Sequence, residues 1–126
     1  MLLAKFGEGA QGLAVAVAHL SLGTNSRMSQ LAFIADLLTD HPNAVLMGDF
    51  NCLADRPEMQ ALYQKTNLQP PGCAVPTFPS WRPDRAIDHI LLSTGLQQRS
   101  AEAVPAAFSD HLALAMEIDV PSHALR

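Results

Sequence analysis

The chain has 126 residues, of which 48% are hydrophobic, 16% charged and 6% aromatic. It is apolar enough for one core, too apolar for a disordered chain, and short enough that residues 1–126 are read as a single domain. The formal net charge of −4 gives no global positive field for nucleic acid or anionic lipid, which speaks against a nucleic-acid-binding module; a phosphate-bearing ligand needs local help, most simply from a divalent metal.

Two cysteines, Cys52 and Cys73, are too few for a disulfide framework and form no C-x-x-C pair. The N-terminal run Met1-Leu2-Leu3-Ala4-Lys5-Phe6 has no basic stretch leading into a long apolar one, and residues 13–18 are too few to span a bilayer. A cytoplasmic protein is expected.

Residues 2–6 and 13–20 read as two strands joined through the glycine-rich segment 7–12, and the second is so uniformly apolar that both its faces are expected to be covered. Over residues 25–40, Met28, Leu31, Ile34, Ala35 and Leu38 recur at helical spacing, and Pro42 ends the helix. Residues 44–48 form a short buried strand that delivers Asp49 at its end. A second helix follows, with Asp55 and Glu58 as a capping box, Pro57 in the first turn and Met59, Leu62 and Tyr63 as its apolar stripe. Five prolines make residues 67–83 a long irregular connection, a kind of loop more often functional than idle. Strands are then expected at 86–93, at 102–106 and at 112–118, the last from the strict alternation of Leu112, Leu114, Met116 and Ile118. The sum is a layered α/β domain with helices packed on a largely antiparallel or mixed sheet.

The polar residues of interest stand at strand ends: His19, Asp49 and Asn51, Asp88, and Asp110 with His111. Strand-end loops are where sites are usually built, because the sheet fixes geometry while the loops stay open to water. Each residue taken alone has a plainer reading: His19 as a hydrogen-bonded strand end, Gly48-Asp49-Phe50-Asn51 as a turn, Ser109-Asp110-His111 as a polar strand entry. Ser109 is also a candidate nucleophile with His111 and Asp88, but the G-x-S-x-G elbow that would support it is absent.

His19-Leu20-Ser21-Leu22-Gly23, Gly48-Asp49-Phe50-Asn51, Ile87-Asp88-His89-Ile90 and Ser109-Asp110-His111-Leu112-Ala113-Leu114, in that order with a helix between the first two, resemble the C-terminal half of the endonuclease/exonuclease/phosphatase superfamily. That group includes pancreatic-type deoxyribonucleases, apurinic endonucleases, neutral sphingomyelinases and inositol polyphosphate phosphatases. The stretch Pro76-Thr77-Phe78-Pro79-Ser80-Trp81-Arg82-Pro83 is similar to one in many bacterial members. The resemblance implies half of a four-layer α/β/β/α sandwich with two helices on one face, and in-line attack of water on a phosphate ester assisted by Mg2+ or Mn2+. Residue by residue, it implies that Asp49 orients or deprotonates the water, that Asn51 holds a phosphate oxygen and that His111 contacts the phosphate. Asp88 then fixes the His111 tautomer, Asp110 lies near the metal, and His19 lies near the leaving group. Trp81 and Arg82, or Arg85, are candidates for substrate contact; the plainer reading makes Trp81 a core plug beneath the proline-rich loop.

The superfamily's first half, with its Asn and its metal-binding Glu, has no counterpart here, since Glu8 lies in the glycine loop rather than after an apolar strand. Half a sandwich is expected to expose an apolar sheet face that invites a second copy or a partner half. The alternative function is therefore a truncated, catalytically silent domain that keeps the fold and needs a partner half. Among DNA, phospholipids, inositol phosphates and nucleotides, nothing in these residues selects the substrate.

Overall fold

The computed structural model describes residues 1–105 and 108–126. The N-terminal hairpin forms as expected, from β1 (Leu2–Phe6) and β2 (Leu13–His19), antiparallel, with Leu2 opposite Val17 and Phe6 opposite Leu13. A helix, α1 (Thr24–Leu38), crosses over to β3 (Asn43–Asp49), which lies parallel to β2. After α2 (Pro57–Lys65) and the proline-rich loop, β4 (Asp88–Leu92) pairs antiparallel with β3. The main sheet is thus mixed, in the order β1-β2-β3-β4. A second, two-stranded sheet pairs β5 (Gln97–Val104) with β6 (Ala113–Asp119), and a 3-10 helix over Ser122–Leu125 closes the chain. Among the described residues no helix is long and apolar enough to cross a membrane.

Both helices pack on one face of the main sheet. Ala16, Ala18, Ala44, Leu46 and Leu91 meet Leu31, Ile34, Ala35 and Leu38 of α1 and Met59 and Leu62 of α2, all buried. Small alanines on β2 and β3 let α1 approach closely. The opposite face is covered only in part: the second sheet lays Met116 and Ile118, with Val120, against Leu13, Val45, Leu92 and Leu96. Beyond that cover the apolar face is open, with Leu2 70%, Phe6 50% and Val17 40% exposed.

Several expectations need correction. The second strand is only partly covered on the face away from the helices, where Val17 remains 40% exposed among the described residues. In α1 the stripe begins with Arg27, which is buried, whereas Met28 points outward. The Asp55/Glu58 capping box does not form: Arg56 is the N-cap of α2 without a side-chain cap bond, and Glu58 turns inward to Arg27 at 3.1 Å. The strand expected over 102–106 is longer and earlier, its inward residues too weakly apolar to announce it, and Ala106 lies outside the described residues.

Candidate active site

The sheet register builds most of the site. His19 pairs with Asp49 across β2 and β3, and Asp49 pairs with Asp88 across β3 and β4. Directly opposed residues share a face, so these three form a row at one edge of the sheet, on the side away from the helices. Gly48 makes this approach possible: its φ of +141° is one that side chains rarely adopt, and a Cβ there would lie 1.8 Å from the Ala18 carbonyl oxygen.

The Asp49–Asn51 turn is anchored by Phe50, which is fully buried, edge-on to the His89 ring, and donates its backbone N–H to the Ile87 carbonyl at 2.9 Å. Asp49 Oδ1 accepts the Asn51 backbone N–H at 2.9 Å, an Asx-type turn. Asn51 itself sits at φ +52°, a left-handed conformation that asparagine tolerates better than most residues. Its Nδ2 donates to the Leu20 carbonyl at 2.6 Å, tying this turn to the loop after His19. That loop is also held from beneath: Arg27 Nη1 donates to the Ser21 and Leu22 carbonyls at 3.2 and 2.6 Å, and Gln30 Oε1 accepts the Ser21 N–H at 2.8 Å.

His111 arrives from the other sheet, just before β6. Its Nδ1 donates to Asp88 Oδ2 at 2.7 Å, leaving Nε2 3.6 Å from Asp49 Oδ2; His19 Nε2 lies 3.4 Å from the same oxygen. Asp88 Oδ2 also accepts the buried Thr77 hydroxyl at 2.5 Å. Partial burial pulls the His111 pKa down, but the hydrogen bond and charge of Asp88, with Asp49 and Asp110 beyond, outweigh it and hold the imidazole above its ordinary value. Asp88 therefore fixes the orientation of the ring and favours its protonated form, with Nε2 facing Asp49. The Phe78 ring packs on it with centroids 4.8 Å apart.

The proline-rich loop is joined to the approach to β6. Leu112 N–H donates to the Thr77 carbonyl at 2.8 Å, Ser80 N–H to the Asp110 carbonyl at 2.7 Å and the Ser80 hydroxyl to the Ser109 carbonyl at 2.6 Å. Thr77 and Ser80 entered the sequence reading only as part of the Pro76–Pro83 stretch, without a role of their own, and Arg27, an arginine inside a helix, carries no pattern that marks it.

The structure thus brings together His19, Asp49, Asn51, Asp88 and His111. Asp110 is exposed, with one carboxylate oxygen 3.4 Å from the Ser109 hydroxyl. The Ser109 hydroxyl accepts the His111 backbone N–H at 3.2 Å while the imidazole turns to Asp88, so no nucleophile–base pair forms. Trp81 is 77% exposed, which excludes the core-plug reading, and Arg82 beside it is also exposed. His89, next to Asp88, faces the opposite way: it is buried and its Nε2 donates to the Cys52 carbonyl at 2.8 Å.

Ligand atoms of Asp49, Asp88 and His111 all lie within 4.8 Å of one another. The two carboxylates are the oxygen donors that suit a hard divalent cation, whereas an imidazole binds a metal only through an unprotonated nitrogen. The fit draws most on Asp49, since Asp88 Oδ2 already holds Thr77 and His111.

The fold has known counterparts. An endonuclease/exonuclease/phosphatase family protein from Bacteroides thetaiotaomicron is similar in fold (TM-score 0.74, 18% identity, covering 86% of this chain and 50% of that one). So is a mannosyl-6-phosphatase from the same organism (0.69, 17%, 85% and 51%). A humanized D. rerio TDP2 is similar over 94% of this chain and 59% of its own (0.69, 15% identity). The chain thus spans about half the length of the first two solved structures. No curated protein matches the sequence. The family model that does match runs over residues 14–111, from the first buried alanine of β2 to the site histidine, and on that match the chain belongs to the Endonuclease/Exonuclease/phosphatase family.

Proposed function

We propose that this chain carries the hydrolytic residues of a phosphodiesterase- or nuclease-like site that works with Mg2+ or Mn2+, water attacking phosphorus in line with the departing ester oxygen. The observation that supports it most is Asp49 Oδ2 lying 3.4 and 3.6 Å from the Nε2 atoms of His19 and His111, with His111 locked from behind by Asp88. In this reading Asp49 orients the water and takes its proton. His111, charged, gives its Nε2 hydrogen bond to a phosphoryl oxygen and stabilises charge as it grows there. Asn51 holds a second phosphoryl oxygen with the amide hydrogen that Leu20 leaves free. His19, on the other side of Asp49, serves the leaving oxygen. Asp110 is proposed as a carboxylate for the divalent ion, beside Asp49. The ion, when bound, supplies positive charge to the phosphoryl group. Trp81 and Arg82, exposed on the joined loop, are assigned to the non-reacting part of the substrate, and the unpaired cysteines suit a reducing cytoplasm.

The test is hydrolysis of bis-(p-nitrophenyl) phosphate in Mg2+, Mn2+ and EDTA, with a sugar phosphate as second substrate because the fold is shared with a mannosyl-6-phosphatase. Metal-dependent turnover reduced about 100-fold or more in Asp49→Asn/His111→Ala is the expected result. Turnover equal in parent and variant refutes the assignment. A second reading, a silent binding domain completed by a partner half or a second copy, is favoured by the open face at Leu2, Phe6 and Val17. Absence of turnover together with self-association or capture of a partner half would select it.

A further inference from the structure

Arg27 of α1 is buried facing Glu58 of α2, and its guanidinium is shared unequally. A planar fork bonds a carboxylate best through two parallel N–H groups. Here Glu58 receives only one, from Nη2 at 3.1 Å; the same nitrogen reaches the Thr24 hydroxyl at 3.3 Å, and Nε is buried with no partner. Nη1 goes entirely to the chain after His19, donating to the Ser21 and Leu22 carbonyls at 3.2 and 2.6 Å. The fork is thus aimed at backbone, and the carboxylate balances its charge.

Net stability does not account for such a pair, because well-packed apolar residues of similar volume are often as stabilising as two desolvated charges, or more so. An apolar pair cannot, however, bond two adjacent carbonyls. Leu20, one residue earlier, is bonded twice to the Asp49–Asn51 turn: its N–H donates to the Asp49 carbonyl at 2.8 Å, and its carbonyl accepts Asn51 Nδ2 at 2.6 Å. We propose that Arg27, charge-balanced by Glu58, is a positioning residue for the site. By holding the Ser21 and Leu22 carbonyls it sets where the Leu20 carbonyl stands, and so where the Asn51 amide points. The use of Asn51 in phosphate chemistry rests on the hydrolytic reading above; its orientation by Arg27 does not.

The test compares the full chain with Arg27→Met/Glu58→Leu, which removes both charges together and leaves neither orphaned. Exchange of the Asn51 side-chain amide protons with water is followed by NMR in EDTA, with no phosphate ester present. The backbone amide of Leu46, buried in β3 between β2 and β4, is the control. In the variant the Asn51 protons should exchange roughly five- to tenfold faster, while the Leu46 amide and the melting temperature stay close to those of the parent. A merely structural pair would loosen both amides together or neither. Arg27→Lys is the second variant. Its single nitrogen cannot hold Glu58 and both carbonyls at once, so Asn51 should loosen about threefold at a parental melting temperature. It decides alone if the double variant does not fold. Parent-like Asn51 exchange in the folded variants, or a loss shared equally by Leu46, overturns the proposal. Hydrolysis of bis-(p-nitrophenyl) phosphate in Mg2+, measured separately, should fall about tenfold in the double variant. A parent without turnover counts against the hydrolytic reading alone, because the amide exchange needs neither metal nor ester.

Discussion

Replacing Glu58 by Gln removes the carboxylate that faces a buried guanidinium. The Arg27 and Glu58 side chains are 6% and 1% exposed, and Nη2 lies 3.1 Å from Oε1. Breaking a buried pair by neutralising one partner costs about 3–5 kcal/mol, because the other charge stays out of water uncompensated. Arg27 keeps the Ser21 and Leu22 carbonyls, and its Nε already has no partner, so the lower end, about 3 kcal/mol, is expected. A chain of 126 residues has a stability of roughly 6–19 kcal/mol, of which this is a large share. Urea unfolding followed by far-UV circular dichroism should show the midpoint falling by about 1.5 M for a slope near 2 kcal/mol/M. The pH dependence carries a sign. Burial raises the Glu58 pKa, but its backbone hydrogen bond and Arg27 outweigh this and hold it below the ordinary 4.5. Its contribution is therefore complete above pH 4.5 and disappears as pH falls through the lower folded value, so the gap between parent and Glu58→Gln closes in acid. Arg27→Met/Glu58→Leu, which leaves no orphaned charge, should recover most of the loss. A Glu58→Gln variant within about 0.5 kcal/mol of the parent at pH 7, or a gap that widens in acid, would refute the reasoning.

Three further outcomes are expected. Gly48→Ala forces a Cβ to within 1.8 Å of the Ala18 carbonyl at a backbone angle suited to glycine, and should lower the melting temperature by roughly 10 °C in calorimetry; an unchanged value would contradict the close approach of β2 and β3. His111 should titrate by NMR with a midpoint above 6.5 that drops in Asp88→Asn; its charged form adds stability that is present below pH 6.5 and lost as pH rises through the raised folded value. His89 behaves oppositely: burial lowers its pKa by more than the Cys52 carbonyl bond and the charges of Asp88 and Asp49 raise it, so the folded protein resists its protonation and stability falls as pH drops below 6.5. Replacing His89 by Phe should flatten the stability profile just below pH 6.5 in acid-titrated denaturation, and an unaltered slope would count against a neutral buried imidazole.

Much of the framework was legible along the chain because strands and helices carry their own periods. The alternation of Leu114, Met116 and Ile118 located β6 and its inward face, and Leu31, Ile34, Ala35 and Leu38 located the buried side of α1. The strand-end positions of His19, Asp49 and Asp88 were visible for the same reason. β5 was harder to see, since Gln97–Val104 has few apolar residues and gains its place by pairing with β6 rather than by its own pattern. The mistaken capping box shows the same limit: Asp55 and Glu58 have the right spacing, but Glu58 reaches a charge on another helix, and no local rule contains Arg27.

By itself the sequence determined the kind and order of elements and the residue types at their ends, because these follow from spacings of a few residues and from turn chemistry. Only the tertiary structure decided that His111 reaches across from the second sheet to Asp88, 23 residues away in the chain, and that Thr77 supports the same oxygen. It also decided that Gly48 lets β2 and β3 close, and that one face of the sheet stays open at Leu2, Phe6 and Val17. Such contacts depend on free energies between segments remote in sequence, which leave no period or spacing in either segment alone.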